Sequence, residues 1–261
     1  MIYIHNIHPI IISIGPIDLY WYGAMYAISF LLIDYLMKRE VVRDTAYEFN
    51  VSFIDQLVFI SILSVIIGGR LGYVLFYNFD YYLENLNKVF YIWEGGMSFH
   101  GALIGAYVGL IFLSIKNKIK FFKLSDFLVP FILIGLFLGR TGNFINSELY
   151  GSPTNSNWGV IFPIIDSVPR HPSMLYEAFL EGIVLYLLLS FFKMTRSATG
   201  TLTAIFLIFY SIFRFCVEFV RVPDLHIGYI YSTWLTTGMI LCVPMFFVGI
   251  LIYYYSKKGR I

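Results

Sequence analysis

The sequence predicts an all-α fold: a polytopic membrane helical bundle of about seven transmembrane helices, N-terminus outside and C-terminus cytoplasmic. Three observations predict it. The 261-residue chain is 59% hydrophobic and 13% charged, with a mean hydropathy of +0.76; soluble domains are nearer half apolar and a quarter charged. That balance excludes a soluble enzyme. Apolar runs occupy 17–37, 53–77, 97–115, 126–143, 174–192, 201–220 and 235–255, each near the ~20 residues that a bilayer requires. Basic residues are split unevenly between the connecting segments. Twelve fall on one side: Lys38, Arg39, Arg43, Lys116, Lys118, Lys120, Lys123, Lys193, Arg196, Lys257, Lys258 and Arg260. Only Lys88, Arg170 and Arg221 fall on the other. Basic residues collect on the cytoplasmic side, which sets the orientation.

The elements follow in order. Tyr20, Trp21 and Tyr22 at the start of the first span, and Tyr81 and Tyr82 after the second, are interface anchors of the kind that flank membrane helices. The second span carries Arg70. The third begins near His100 and contains Gly101-xxx-Gly105-xxx-Gly109. The fourth contains Gly135-xxx-Gly139; both small-residue patterns are expected to let helices approach closely. Residues 152–170, with Pro153, Pro163 and Pro169, read as an external segment. The seventh span closes on Tyr253 to Tyr255. Cys216 and Cys242 lie in apolar runs and read as small hydrophobes, with no metal-type spacing. The N-terminus lacks the basic start and cleavage site of a signal peptide. One domain over 1–261 is expected, and nucleic acid is not an expected partner.

The fourth run ends in Gly139-Arg140-Thr141-Gly142-Asn143-Phe144-Ile145-Asn146-Ser147-Glu148-Leu149-Tyr150-Gly151. Ionisable and amide groups at membrane depth are costly and mark functional sites. In the expected topology Tyr22, Arg70, His100, Arg140 and Arg214 come from five spans and share a depth toward the outer leaflet. A snorkelling arginine explains any one of them; together they read as a shared pocket. The sixth span adds Tyr210, Arg214, Glu218 and Arg221 within an arc of about 80°. Glu218 is spaced to pair with Arg214 or Arg221. Guanidinium groups suit a phosphate, and an anionic lipid headgroup is the phosphate available at that depth. His100 has the chemistry of a general base. His5, His8, His171 and His226 read mostly as external loop residues. No phosphate loop, dinucleotide fingerprint or metalloprotease motif is present, so the expected chemistry is free of cofactor and metal.

These residues resemble the bacterial prolipoprotein diacylglyceryl transferase family. Its signature is matched by Gly139-Arg140-x-Gly142-Asn143-Phe144-x-Asn146-x-Glu148-x-x-Gly151. Further similar blocks are Gly15-Pro16 with Trp21-Tyr22-Gly23, Gly68-Gly69-Arg70-Leu71-Gly72-Tyr73, the Gly-Gly-Met-Ser-Phe-His-Gly block ending at Gly101, and His171-Pro172-Ser173-x-Leu175-Tyr176-Glu177. The last is Tyr210-xxx-Arg214-xxx-Glu218-xx-Arg221-x-Pro223-Asp224. Ala102 and Met174 depart from it, standing where the family commonly has glycine and glutamine.

The resemblance implies that the diacylglyceryl group of phosphatidylglycerol passes to the lipobox cysteine thiol of a preprolipoprotein. A thioether forms and glycerol phosphate leaves. It implies a multi-pass protein of the bacterial cytoplasmic (inner) membrane, with the active site toward the outer leaflet. His100 would take the thiol proton, because the thiolate is the nucleophile. Arg140 and Arg214 would neutralise the departing phosphate. Asn143, Asn146, Glu148 and Gly151 would shape the headgroup pocket. Tyr22 and Tyr210 would donate to phosphate or glycerol oxygens, with Glu218 and Arg70 in support. An anion or phospholipid transporter is the alternative, but no internal repeat of the transporter type is present. A non-catalytic lipid-binding scaffold would be expected to lack His100 or Arg140.

Overall fold

The computed structural model describes residues 2–261 except Pro16, 45–46, Arg196, 224–227 and Thr233; the side chains of Ile14, Ile17, Glu94, Phe99 and His100 also lie outside the described set. Nine α-helices are described: α1 Trp21–Arg43, α2 Val51–Phe76, α3 Phe79–Glu84, α4 Phe99–Lys116, α5 Phe121–Ile145, α6 Ser173–Glu177, α7 Leu185–Met194, α8 Thr201–Glu218 and α9 Thr237–Lys257. Seven short strands supplement them: β1 Tyr3–Ile4, β2 Ile10–Ile14, β3 Ile17–Tyr20, β4 Val160–Ile161, β5 Pro169–Arg170, β6 Tyr229–Tyr231 and β7 Leu235–Thr236. A π-helical stretch, Ala178–Val184, joins α6 to α7. Ser173–Met194 is thereby one continuous helical run.

Among the described residues, five helical runs are long and apolar enough to cross a membrane: Val51–Phe76, Phe121–Ile145, Ser173–Met194, Thr201–Glu218 and Thr237–Lys257. The apolar part of α4, Gly101–Lys116, is shorter. Helix α1 ends in a charged stretch containing Asp34, Lys38, Arg39, Glu40 and Arg43. Residues 17–20, expected as the start of the first span, form β3 instead, paired antiparallel with β2. The turn between them uses Gly15 at φ +60°, a region open to glycine at little cost.

The chain forms two compact units, residues 1–33 with 125–261, and residues 34–124. In the second unit, α2 and α4 pack backbone to backbone. A Cβ added at Gly68 would lie 2.4 Å from the Gly101 carbonyl oxygen, and one at Gly105 would lie 2.1 Å from that of Ser64. The expected close approach of Gly101-xxx-Gly105 is therefore real, and Gly68 and Gly72 are its partners. At Gly135 and Gly139 the nearest atoms to an added Cβ stand 3.5 and 3.6 Å away. That is ordinary contact, so these two glycines do not mark a close helix crossing. Asn50 and Ser98 cap α2 and α4, accepting from Phe53 N at 2.8 Å and Gly101 N at 3.1 Å; caps satisfy amide groups that begin a helix unpaired.

Arg70 belongs to this unit and is buried. Its five N–H donors reach five carbonyl oxygens. Nε donates to Val89 at 2.8 Å, Nη1 to Gly95 at 2.5 Å and Gly96 at 3.1 Å, and Nη2 to Lys88 at 2.6 Å and Tyr91 at 3.2 Å. A guanidinium has five donors, so Arg70 is fully committed to holding the 88–96 loop that leads into α4.

In the first unit, Val129 and Leu133 of α5, Leu185 and Leu189 of α7, and Leu202 and Ile205 of α8 form a buried apolar cluster. Asp126 of α5 caps α8 from outside it: it accepts from Gly200 N at 2.6 Å, Thr203 N at 2.8 Å and Thr203 Oγ1 at 2.6 Å. This carboxylate meets the positive end of the α8 dipole.

Candidate active site

The site grows from the end of α5. Glu148 N donates to Asn143 O at 2.9 Å and Ser147 N to Phe144 O at 3.0 Å, the bond pair of a Schellman motif. Ser147 sits at φ 58° and Leu149 at φ 57°, a left-handed conformation that costs a non-glycine residue about 1–2 kcal/mol. The turn folds Glu148 back onto the helix. Asn143 Nδ2 then donates to Glu148 Oε2 at 3.0 Å and Asn146 Nδ2 to Oε1 at 3.3 Å. The three polar signature residues thus form one local network.

Arg140 lies one turn earlier. Its Nε is 2.6 Å from Glu177 Oε2, and its Nη1 reaches Asn143 Oδ1 at 3.5 Å. The other Glu177 oxygen, Oε1, is 2.6 Å from Arg214 Nη1 and 3.9 Å from Arg221 Nε. Glu177 is 0% exposed. Its contacts with the arginines are close as charges but lack aligned N–H···O geometry, so these atoms make no hydrogen bonds among the described residues. Glu218 accepts from Arg214 Nη2 at 2.5 Å and Arg221 Nη1 at 3.1 Å, both on Oε1. Its Oε2 accepts from Thr236 Oγ1 at 2.5 Å, while that hydroxyl caps α9 at Met239 N. One ion network therefore joins α5, α6, α8 and the start of α9 inside an apolar bundle. Buried charges demand such partners because desolvation is costly.

Backbone bonds brace the network. Gly151 N donates to His171 O at 2.8 Å and Ser152 N to Val220 O at 2.8 Å. A Cβ at Gly151 would fall 2.5 Å from Val220 O and 2.6 Å from His171 O, so the position requires glycine. The end of α5, the start of α6 and the end of α8 are tied together at this point. Ser173 Oγ adds a bond to Leu149 O at 2.7 Å. Within residues 152–170, the Arg170 guanidinium donates to the Asp166 carboxylate and, with the Val168 amide, holds that carboxyl below its usual range.

The structure brings Arg140, Asn143, Asn146, Glu148, Arg214 and Glu218 of the expected set into one connected region. Tyr22 joins from α1: its hydroxyl donates to Tyr26 at 3.0 Å, and the charges of Glu148 and Arg140 act on it. An added Cβ at Gly142 would sit 3.4 Å from Tyr22 Cα. Tyr210 packs against the α5–α7–α8 core with Phe206, ring centroids 5.4 Å apart. Gly151 acts on the site as a packing point. Arg70 and His100 belong to the other unit; His100 is the second residue of α4, and its side chain lies outside the described residues, as do Pro16, Asp224 and His226.

Sequence reasoning assigned no role to Glu177, the hub of the arginines, nor to Glu181 or Thr236. The available signal was a pair of acidic residues four apart in the apolar 174–192 run, since intramembrane carboxylates are rarely idle. His5 also departs from its expected loop exposure. It is buried, bonds Ile145 O through Nε2 at 3.0 Å and packs edge-on to Phe144. It holds β1 against the C-terminus of α5. Met174 fills an apolar cluster with Val160 and Phe162, which explains why no polar group is needed there.

Comparison with known proteins adds a family. Residues 9–255 match the family model described as prolipoprotein diacylglyceryl transferase. The chain is 46% identical over 246 residues to the phosphatidylglycerol–prolipoprotein diacylglyceryl transferase of Methylococcus capsulatus, covering 94% of each chain. It is 45% identical to the protein of that name from Bordetella parapertussis, covering 97% of each. The Xanthomonas euvesicatoria pv. vesicatoria protein of the same name is 40% identical, with 100% of this chain and 95% of the relative covered.

Proposed function

Because the chain belongs to the prolipoprotein diacylglyceryl transferase family, we propose that it carries out the first step of lipoprotein maturation. It moves the diacylglyceryl group of phosphatidylglycerol onto the lipobox cysteine thiol of a preprolipoprotein. The thiol loses a proton, a carbon–sulfur bond forms, the carbon–oxygen bond to phosphate breaks, and glycerol phosphate leaves. The step balances without a cofactor. With its apolar helices and its family, the chain is a multi-pass membrane protein.

The observation that carries the reading is the pairing of Arg140 and Arg214 on one buried carboxylate, each at 2.6 Å from Glu177. Two fixed positive charges in a low-dielectric site stabilise negative charge far better than in water. They would receive the charge that develops on the leaving phosphate. Asn143, Asn146 and Glu148 would bound the headgroup, and Tyr22 and Tyr210 would donate to its oxygens. Glu218 would keep Arg214 and Arg221 oriented, and Gly151 would keep the elements in register. His100 would act as base toward the thiol. Arg70 would hold the loop before α4 in place.

The same reading treats 1–261 as one transferase domain in the bacterial cytoplasmic membrane. Helices α1 and α4 would cross with the five runs named above, giving seven crossings, with the N-terminus outside, the C-terminus cytoplasmic and the site toward the outer leaflet. The uneven distribution of Lys and Arg supports that orientation. The test is an assay with purified protein, phosphatidylglycerol vesicles and a lipobox peptide, read by mass spectrometry. A mass gain equal to diacylglyceryl on the cysteine is expected, absent with a cysteine-to-serine peptide and abolished by Arg140→Ala. No gain with folded, inserted protein would overturn the proposal.

A further inference from the structure

Glu181 is a buried acid for which the mechanism above has no use. It lies four residues beyond Glu177, inside the π-helical stretch Ala178–Val184. Isolated π turns within α-helices occur frequently at functional sites. Glu181 is 0% exposed, and neither carboxyl oxygen has a hydrogen-bond partner among the described residues. The charges acting on it are Glu177 of α6, Arg214 and Glu218 of α8, and Arg140 of α5. Tyr210 of α8 and Cys242 of α9 are the uncharged titratable groups that feel it. Glu218, by contrast, has both its oxygens bonded, and Glu177 is held by two arginines.

An ionised Glu181 and an incoming phosphate would draw on the same two guanidinium groups, Arg140 and Arg214. They are also like charges in a medium that screens poorly. Each therefore disfavours the other, and the competition is removed when Glu181 takes a proton. Among the described residues no hydrogen bond holds it in the ionised form, so its proton can move without breaking a contact. We infer that Glu181 is a proton-linked positioning residue: it is protonated as the anionic lipid headgroup enters and releases Arg140 and Arg214 to the phosphate. One proton passes from solvent to the carboxyl, and no other bond changes. The inference rests on the proposed function and adds a pH-dependent term to lipid affinity that acts through the arginines.

The experiment measures phosphatidylglycerol binding in detergent micelles by calorimetry, in buffers of differing ionisation enthalpy and without peptide, so that the thiol substrate contributes nothing. Transfer kinetics against pH accompany it. Wild type is expected to take up as much as about one proton on binding. Its KM for phosphatidylglycerol would rise roughly tenfold per pH unit above the Glu181 titration, a rise that is absent from kcat. Glu181→Gln, neutral at every pH, is expected to bind without proton uptake and to show a flat KM. Glu181→Asp should restore the uptake. If Glu181→Gln fails to fold, the wild-type and Glu181→Asp titrations decide alone. Wild-type binding without proton uptake, or unchanged uptake in Glu181→Gln, would overturn the inference while active transfer left the proposed function standing. Absence of transfer by wild type would instead sink the proposed function.

Discussion

Glu177→Gln removes one negative charge from the centre of the arginine network and changes almost nothing in volume. Wild-type Glu177 stands 2.6 Å from both Arg140 Nε and Arg214 Nη1 and has no exposed surface. The amide keeps one acceptor oxygen and turns an NH2 group toward the other guanidinium, so at least one arginine faces a donor. Removing one partner of a buried ion pair costs about 3–5 kcal/mol, because the remaining charge stays desolvated. For a chain of this size that lowers the unfolding temperature on the order of 10 °C. An arginine that swings away from its place no longer stabilises the leaving phosphate, and loss of one such preorganised group lowers kcat about 10²–10³-fold. The positive charge that attracts an anionic lipid is not reduced, so KM for phosphatidylglycerol should stay level or fall. That split, kcat down without KM up, marks an interaction expressed in the transition state. The assay is the peptide-transfer reaction with unfolding followed in micelles. A variant with wild-type kcat and an unshifted unfolding temperature would refute the placement of Glu177 as the hub of the site.

Two further outcomes follow from the same geometry. Gly151→Ala puts a Cβ 2.5 Å from Val220 O and should destabilise by about 1–3 kcal/mol or more through overpacking, whereas Gly142→Ala meets nothing nearer than 3.4 Å and should be tolerated; equal unfolding temperatures for the two would contradict the bracing role of Gly151. Asp126→Asn weakens a carboxylate that accepts three bonds at the start of α8. The expected loss is about 1–3 kcal/mol, with kcat intact, since Asp126 and Arg140 are fourteen residues apart on α5, about 21 Å along the axis; a fall in kcat matching that of Glu177→Gln would contradict it.

The helical runs and the local part of the site were legible in the sequence. A chain solvated by lipid must satisfy its backbone within each segment, so apolar runs near bilayer length read directly as helices. Arg140 and Asn143 lie three residues apart at the end of α5 and Asn146 follows just past it, so the three fall together by local chain geometry alone. The Glu218 pairings with Arg214 and Arg221 are of the same local kind. What lies across helices was not legible. Which helix meets which, and at what rotation, depends on packing between segments far apart in the chain, and periodicity carries no record of it. Gly135 and Gly139 have the spacing of a close crossing, but Gly68 and Gly72 make one. Arg70 has the look of a site arginine, yet its five donors are consumed by a loop that begins 18 residues later. Glu177 became the centre of the network only when α6 was laid between α5 and α8, because a buried carboxylate takes its meaning from the charges that three-dimensional packing sets against it.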